Sequence, residues 1–485
     1  MSSSQIIGRK LEMDLLQKAV NSDQAELIAV YGRRRIGKTF LISTYFKDKG
    51  IYFEFTGIKD ASRSTHLKRF IKILATVFLD DEVPSTPKDW FEALDLLYEQ
   101  VKAVSQKNKV ILFFDELPWI ASAKSSFLQA IDHFWNLYFS RMKNVIVIVC
   151  GSAASWMIDN VISNTGGLYG RLTRKIHLLP FTLRETKDFL VAKKNELDEK
   201  QIVELYMAMG GVPKYLAQIE NGKSATQTIN QQFFTVTGFL ATEFNNLYSS
   251  LFNKYEQHIR VVRVLARSKN GLTRKDLLEQ AELASGGAAT KVLRELEDSG
   301  FIMHIDSYPN NTKLAKYRLI DQYSLFYLKW VAATDKLRHT SGLDNYWIGQ
   351  SNTNAWTIWC GYAFENICLT HVDKIKKALG LEGIVVQAHI WNFNGTDEKP
   401  GAQIDLVLDR ADKCINLCEI KFYNTEFQLT KKYGEELNHK KEIFREQNNC
   451  KKTLFTTLIT TYGVSESLYA NTYIQSQVTM RELFA

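Results

Sequence analysis

Gly32-Arg33-Arg34-Arg35-Ile36-Gly37-Lys38-Thr39 directly follows the apolar run Leu27-Ile28-Ala29-Val30-Tyr31 and directly precedes Phe40-Leu41-Ile42-Ser43-Thr44-Tyr45. An apolar run, a glycine-bounded turn and a second apolar stretch read as strand, loop and helix. The loop is spelled for phosphate. Gly32 and Gly37 let successive backbone N–H groups turn inward on a β-phosphate, and the helix start adds its positive end. Lys38 neutralises β- and γ-phosphate charge, and the Thr39 hydroxyl can ligate Mg2+. ATP with Mg2+ is the expected cofactor pair.

A second phosphate-site element lies at Val110-Ile111-Leu112-Phe113-Phe114-Asp115-Glu116. An unbroken apolar run fits a strand buried on both faces of a parallel sheet, and an acid pair at its carboxyl end lies where such sheets bind ligands. It resembles a Walker B motif: Asp115 would hold Mg2+ through water and Glu116 would polarise the attacking water. A third strand, Val145 to Cys150, ends in Gly151-Ser152. Ser152 is a candidate contact to the γ-phosphate or its water, with a simple helix cap as the alternative. In Gly170-Arg171-Leu172-Thr173-Arg174, Arg171 is the candidate to stabilise transferred phosphoryl charge, or else a surface cation. Upstream, Ile7-Gly8-Arg9 precedes the amphipathic pattern Leu11, Leu15, Leu16, Ala19, a candidate cover for the adenine ring.

These stretches, with Asp115-Glu116-Leu117-Pro118-Trp119, Leu179-Pro180-Phe181 and Gly210-Gly211-Val212-Pro213-Lys214-Tyr215, resemble the bacterial and archaeal AAA-like ATPases related to the STAND signalling NTPases. The resemblance implies nucleotide contacts at Gly8, Arg9, Gly32, Gly37, Lys38, Thr39, Asp115 and Ser152. It also implies a helical lid in which the Gly-Gly-x-Pro segment opens a helix. Pro213 at a helix start agrees, its φ being pre-set and its missing N–H dispensable.

From about Tyr255 the pattern changes to short helices: His258 to Ala266, Arg274 to Gln280 capped by Thr273, and Ala288 to Ser299 after a Ser285-Gly286-Gly287 turn. Two alternating runs follow, Phe301 to Ile305 and Lys316 to Ile320, around a turn at Pro309-Asn310-Asn311. This looks like a winged helix-turn-helix. Its candidate recognition helix carries Lys291 and Arg294 but also Glu295, Glu297 and Asp298, with Lys313 and Lys316 in the wing. DNA contact and internal docking both remain open for it.

In the last third, Ile404-Asp405-Leu406-Val407-Leu408 and Ile415-Asn416-Leu417-Cys418-Glu419-Ile420-Lys421-Phe422 flank a polar turn. Period-two geometry puts Glu419 and Lys421 on one face, and folding back over the turn brings Asp405 near Glu419. Two enclosed carboxylates repel, which a divalent ion relieves. Phosphodiester hydrolysis suits that set: Asp405 and Glu419 to hold Mg2+, Lys421 to orient the nucleophile or offset charge. The same acid-x-Lys spelling at Asp198-Glu199-Lys200 and Asp397-Glu398-Lys399 lies in polar segments without strands. With Gly361-Tyr362-Ala363-Phe364-Glu365 on a preceding helix, residues from about Trp356 to Thr457 resemble the PD-(D/E)xK nuclease fold, in which the helix glutamate often completes the metal site. That resemblance makes Glu365 a third ligand candidate. Ile404 stands where the fold's proline would precede Asp405. Lys432, Lys440 and Lys441 on the next helical stretch are candidates for the nucleic-acid backbone, or else a solvated face.

At 485 residues the chain is too long for one core. The expected fold is multidomain α/β: an AAA-like P-loop parallel sheet over 1–178, a helical lid over 179–250, a winged helix-turn-helix over 251–335 and a restriction-endonuclease-like α/β domain over 336–485. Hydrophobic content of 45% with 24% charged residues excludes a disordered chain. The net charge of +8 is compatible with a polyanion partner, here DNA. No apolar run reaches membrane length and the amino terminus lacks a signal pattern, so a cytoplasmic location is expected, with no membrane partner. Six cysteines without metal-ligand spacing read as reduced, Cys414 and Cys418 as core filler. The combined expectation is an ATPase whose nucleotide state controls a Mg2+-dependent endonuclease acting on DNA, with defence against foreign DNA a reasonable setting. The alternative is a nucleotide-switched DNA-binding or signalling ATPase with a non-cleaving nuclease fold. The sequence leaves oligomeric state open.

Overall fold

A computed structural model describes residues 5–122, 124–163, 168, 170–252, 254–309, 311–337, 343, 345–396 and 399–485. The chain divides into two compact units, Met1–Pro180 and Phe181–Ala485.

In the first unit the apolar runs become strands β1 (Glu26–Tyr31), β2 (Ile51–Thr56), β3 (Val110–Asp115), β4 (Val145–Gly151) and β5 (Arg174–His177). Among the described residues they form one parallel sheet in the order β2-β3-β4-β1-β5. Every residue of β3 and β4 is buried, as continuous Val/Ile/Phe runs require when helices cover both faces. One face packs Phe53, Phe70, Trp90, Phe114 and Phe127. The other packs Ile28, Val30, Leu41, Ile42 and Phe113 with Leu16 and Ala19 of the helix Lys10–Val20. Leu16 and Ala19 are therefore core residues and are not free to cover an adenine ring; Leu11, of the same pattern, is 78% exposed. The parallel order aligns the carboxyl ends of β1, β3 and β4, so the glycine loop, Asp115-Glu116 and Ser152 emerge on one edge.

The second unit begins with helices Leu183–Ala192, Glu199–Met209 and Pro213–Leu216. The first opens on a reciprocal Thr182/Glu185 capping box. At Gly211 an added Cβ would lie 1.9 Å from the Phe181 carbonyl oxygen, so the Gly-Gly-x-Pro segment is held by backbone contact that only glycine allows. Asp198 caps the second helix through Gln201 N–H at 2.9 Å, which accounts for the first extra acid-x-Lys; Asp397 and Glu398 of the second lie outside the described residues.

Helices Tyr255–Arg267, Arg274–Gln280 and Gly287–Asp298 follow. Strands β6 (Leu272–Thr273), β7 (Ile302–Ser307) and β8 (Asn311–Leu319) pair antiparallel beside them. Asn310 and the side chain of Lys313, both named from the sequence, lie outside the description. The hairpin is not a free wing: β7 meets β9 (Val386–Phe393) at Ser307↔Ile390, and Tyr308 N–H donates to Ile390 O at 3.0 Å. Strands β10 (Ala402–Arg410), β11 (Cys414–Lys421), β12 (Thr453–Thr460) and β13 (Ser476–Thr479) complete a mixed sheet, ordered β13-β12-β11-β10-β9-β7-β8-β6 among the described residues. One hydrophobic core runs through this unit, from Leu183 and Ile202 through Val262, Leu293 and Phe326 to Phe364, Leu406 and Ile459.

Candidate functional sites

The glycine loop owes its path to two backbone positions. Gly32 has φ +141, and a Cβ there would sit 2.2 Å from the Leu178 carbonyl oxygen. Gly37, φ +89, has open space around it and is required by its conformation alone. From Gly37 the helix Lys38–Phe46 starts. Lys38 is buried, and its Nζ donates to the Gly32 and Arg33 carbonyls at 2.9 Å each. Burial pulls the ammonium below its ordinary value, against the opposing pull of Cys150, Glu116 and Asp115. Thr39 Oγ1 donates to Asp115 Oδ2 at 2.6 Å, and Glu116 N–H donates to Asp115 Oδ1 at 2.9 Å. Glu116, left-handed at φ 49, accepts the Ser152 hydroxyl at 2.8 Å and Ser152 N–H at 3.3 Å through Oε2. Since β4 lies between β1 and β3, Ser152 is carried to the flank of the acid pair. Gly8 and Arg9 are also left-handed, φ 67 and 56, and the buried Arg9 guanidinium donates to Ile36 O at 3.1 Å, tying the amino-terminal segment onto the loop. Arg171 pairs with Asp132 at 2.5 Å. A contact that sequence reading missed is Arg34 over the Trp119 ring at 5.4 Å.

The model of a family described as an ATPase domain predominantly from Archaea matches residues 7–219. These residues form an ATPase domain of that type. The chain is 22% identical over 445 residues to an uncharacterised protein of Methanocaldococcus jannaschii, covering 90% of this chain and 92% of the relative. It is 44% identical over 45 residues to an uncharacterised ATP-binding protein of that organism, covering 9% of this chain and 76% of the relative. Among solved structures it is similar to a Walker-type ATPase of Pyrococcus abyssi, at TM-score 0.47 and 16% identity over 67% of this chain and 96% of that one. The ATPase domain, as matched, includes the first unit and the opening helices of the second.

Those opening helices are joined to the carboxyl-terminal segment. Leu183 N–H donates to His371 Nε2 at 3.2 Å, while His371 Nδ1 lies 2.8 Å from Ile367 O, so the ring is neutral with its proton on Nδ1. Burial drives its pKa down to about 4. The helix that His371 terminates, Asn354–Thr370, carries Glu365.

Strands β10 and β11 pair with Leu406 opposite Cys418, a register that sets Asp405 against Glu419. Asp405 Oδ2 accepts Ile420 N–H at 2.9 Å. A bulge in β10 against β9, between Ile404 and Val407, falls on Asp405 and re-aims it. Enclosure first, then repulsion from Glu419 and Glu365, pushes the Asp405 carboxyl well above its ordinary value, while Lys421 and the Ile420 N–H oppose. Asp405, Glu419, Glu365 and Lys421 thus form one electrostatic cluster.

Each remaining carboxylate also has a cation. Glu419 accepts Lys440 Nζ at 2.8 Å and Tyr433 OH at 3.1 Å, with Lys421 Nζ at 3.6 Å. Glu365 accepts Arg318 of β8 at 2.7 Å, and that guanidinium lies over Tyr362 at 5.2 Å. Lys440, read from the sequence as a backbone-facing surface lysine, instead points into the cluster. Its signal was available: Tyr433, Leu437, Lys440 and Phe444 fall on one face of the helix Lys431–Gln447. No such signal marks Arg318. Beside Glu365 and Lys421 opens a cleft of about 450 Å³ lined also by Lys269, Asn270, Gln403 and Tyr423. Among the described residues no group of three or more His, Cys, Asp or Glu side chains is arranged to hold a metal ion, and no helix is long and apolar enough to cross a membrane.

Proposed function

We propose that the chain binds and hydrolyses ATP in its ATPase domain and that the nucleotide state controls a Mg2+-dependent nuclease-like domain acting on DNA. The ATPase half rests on the family match over 7–219. Lys38 would leave the two loop carbonyls for the β- and γ-phosphates, Thr39 and Asp115, already 2.6 Å apart, would hold Mg2+, and Glu116 oriented by Ser152 would take the proton of the attacking water.

The nuclease half is carried by one observation: Asp405 opposed to Glu419 across paired strands, with Lys421 3.6 Å from Glu419. Two carboxylates suit Mg2+, which completes its shell with water and substrate phosphate, and a cation there would offset both the burial and the like-charge repulsion that raise the Asp405 carboxyl. Bound at Asp405 and Glu419, Mg2+ would supply an activated water and charge neutralisation at the phosphate. Lys421 would offset charge on the scissile group. Control would run within the second unit, where the opening helices belong to the ATPase match and are bonded through Leu183 to His371, at the end of the Glu365 helix.

The second reading, a nucleotide-switched DNA-binding or signalling ATPase with a non-cleaving fold, is favoured by Lys440 and Arg318 occupying Glu419 and Glu365. Incubating supercoiled and linear DNA with Mg2+ and ATP separates the two. Cutting by the wild type, lost in Glu419→Gln and in Lys38→Ala, supports the first. Cutting unchanged by Glu419→Gln removes the nuclease assignment, and cutting unchanged by Lys38→Ala removes control by ATP.

A further inference from the structure

The helix Tyr255–Arg267 buries His258, Ile259, Val261, Val262 and Leu265 and leaves Arg260, Arg263 and Arg267 exposed. Spacings of three and four put the three arginines on one helical face. Lys269, two residues beyond the helix and exposed, continues the line into the cleft that Glu365 and Lys421 also line. Arg263, Arg267 and Lys269 form no ion pair among the described residues, and Glu256, at the amino-terminal end, is the one acid of the helix itself. Arg260 touches the Glu282 carbonyl at 3.4 Å.

The helix read from the sequence as the recognition helix is different. On Gly287–Asp298, Lys291 is 3.8 Å from Glu295, which also receives His258 at 2.8 Å, and Glu297 and Asp298 follow. An unneutralised cationic row attracts a phosphodiester backbone, and a row already offset by acids does so weakly.

We infer that the DNA backbone runs along the Arg260-Arg263-Arg267 face and past Lys269 into the cleft, and that the Gly287–Asp298 helix does not carry DNA binding. This rests on the reading of the second unit as a DNA-acting domain. The anchor for the substrate is then the first helix of the winged-helix-like segment, and its end leads to the cleft lined by Glu365, Gln403 and Lys421. Asn270 is fixed at the cleft mouth by Gln403, at 2.8 Å, and Gln403 reaches Asp405 at 3.4 Å, so the end of the track is bonded to the candidate catalytic strand.

The test is fluorescence anisotropy of the full chain with a labelled duplex and the matching single strand, in EDTA, over a range of salt. Arg263→Gln with Arg267→Gln is expected to weaken binding roughly tenfold for unrelated sequences alike and to lower the salt slope by about 2, one for each lost phosphate contact. Arg263→Lys with Arg267→Lys should restore most of both. Lys291→Gln with Arg294→Gln should change neither, and ATP hydrolysis should be the same in all variants, which controls for folding. Equal binding by the Arg263/Arg267 glutamine variant and the wild type, a loss confined to the Lys291/Arg294 variant, or no DNA binding by the wild type would each overturn the inference. Cleavage measured in parallel with Mg2+ keeps the two readings apart. Arginine-dependent binding without cutting leaves the track standing and removes the nuclease, whereas cutting insensitive to Arg263 and Arg267 does the reverse.

Discussion

The phosphate loop and the carboxylate cluster of the second unit balance their acids by opposite means. At the phosphate loop the acids are matched by hydroxyls and backbone N–H groups, Thr39 on Asp115 and Ser152 on Glu116, and the one nearby lysine is turned onto carbonyls. In the second unit the acids are matched by cations, Lys440 on Glu419 and Arg318 on Glu365, while Asp405 has the Ile420 N–H, the Gln403 amide at 3.4 Å and its like-charged neighbours. The first arrangement leaves charge to be completed by a ligand. The second has completed most of it within the protein, and so must rearrange charges when a cation or phosphate arrives.

Substitutions at the first site break this contrast most visibly. Lys38→Ala should lower ATP hydrolysis by roughly 100-fold or more, since a preorganised charge at the phosphates is lost, while thermal unfolding of the apoprotein stays nearly unchanged; Glu116→Gln should slow turnover to a similar extent with nucleotide still bound, as equilibrium dialysis would show. The second site should behave the other way, with stability moving first. Arg318 is nearly buried, its side chain 4% exposed, and Arg318→Met should cost about 3 kcal/mol in chemical denaturation, because Glu365 is left without its cation. Adding Glu365→Leu should recover most of the loss; if the single variant is as stable as the wild type, the ion pair is not what holds that helix to β8.

The joint between the ATPase helices and the Glu365 helix has its own signature in acid. His371 is held neutral with a pKa of about 4 against an ordinary 6.5, so the folded state resists a proton that the unfolded chain accepts. The resulting stability is complete above pH 6.5 and declines as pH falls toward 4, by an amount on the order of 3 kcal/mol. A His371→Gln variant should show a flatter profile across that window. The smallest effect is expected at Lys440: Lys440→Met frees an oxygen of Glu419 and should tighten Mn2+ binding a few-fold, measured by titration, with little change in ATP hydrolysis.

The contrast also explains what the sequence made legible. The phosphate loop, the acid pair and Ser152 each follow directly on an apolar strand, and a parallel sheet brings strand ends together whatever else the chain does. Asp405 and Glu419 were readable for a similar reason, since a short polar turn between alternating runs fixes a register. Arg318 and Lys440 arrive from β8 and from a helix beyond the site, 47 and 21 residues from the acids they meet, and nothing in their local patterns names those partners. Of the stripe read as an adenine cover, Leu16 and Ala19 are taken up by the core while Leu11 stays exposed, a division the helical periodicity alone does not mark. The hairpin's attachment to β9 rests on a single bridge at Ser307 and Ile390, too little to leave a pattern.

Counting bound Mn2+ by electron paramagnetic resonance tests most directly whether the chain holds two separate cation sites. The account predicts two classes per chain: one that appears only with ATP and disappears in Lys38→Ala, and one independent of nucleotide that disappears in Asp405→Asn with Glu419→Gln. A wild type showing the ATP-dependent class alone would contradict it, and would leave the carboxylates of the second unit as partners of Lys440 and Arg318 and nothing more.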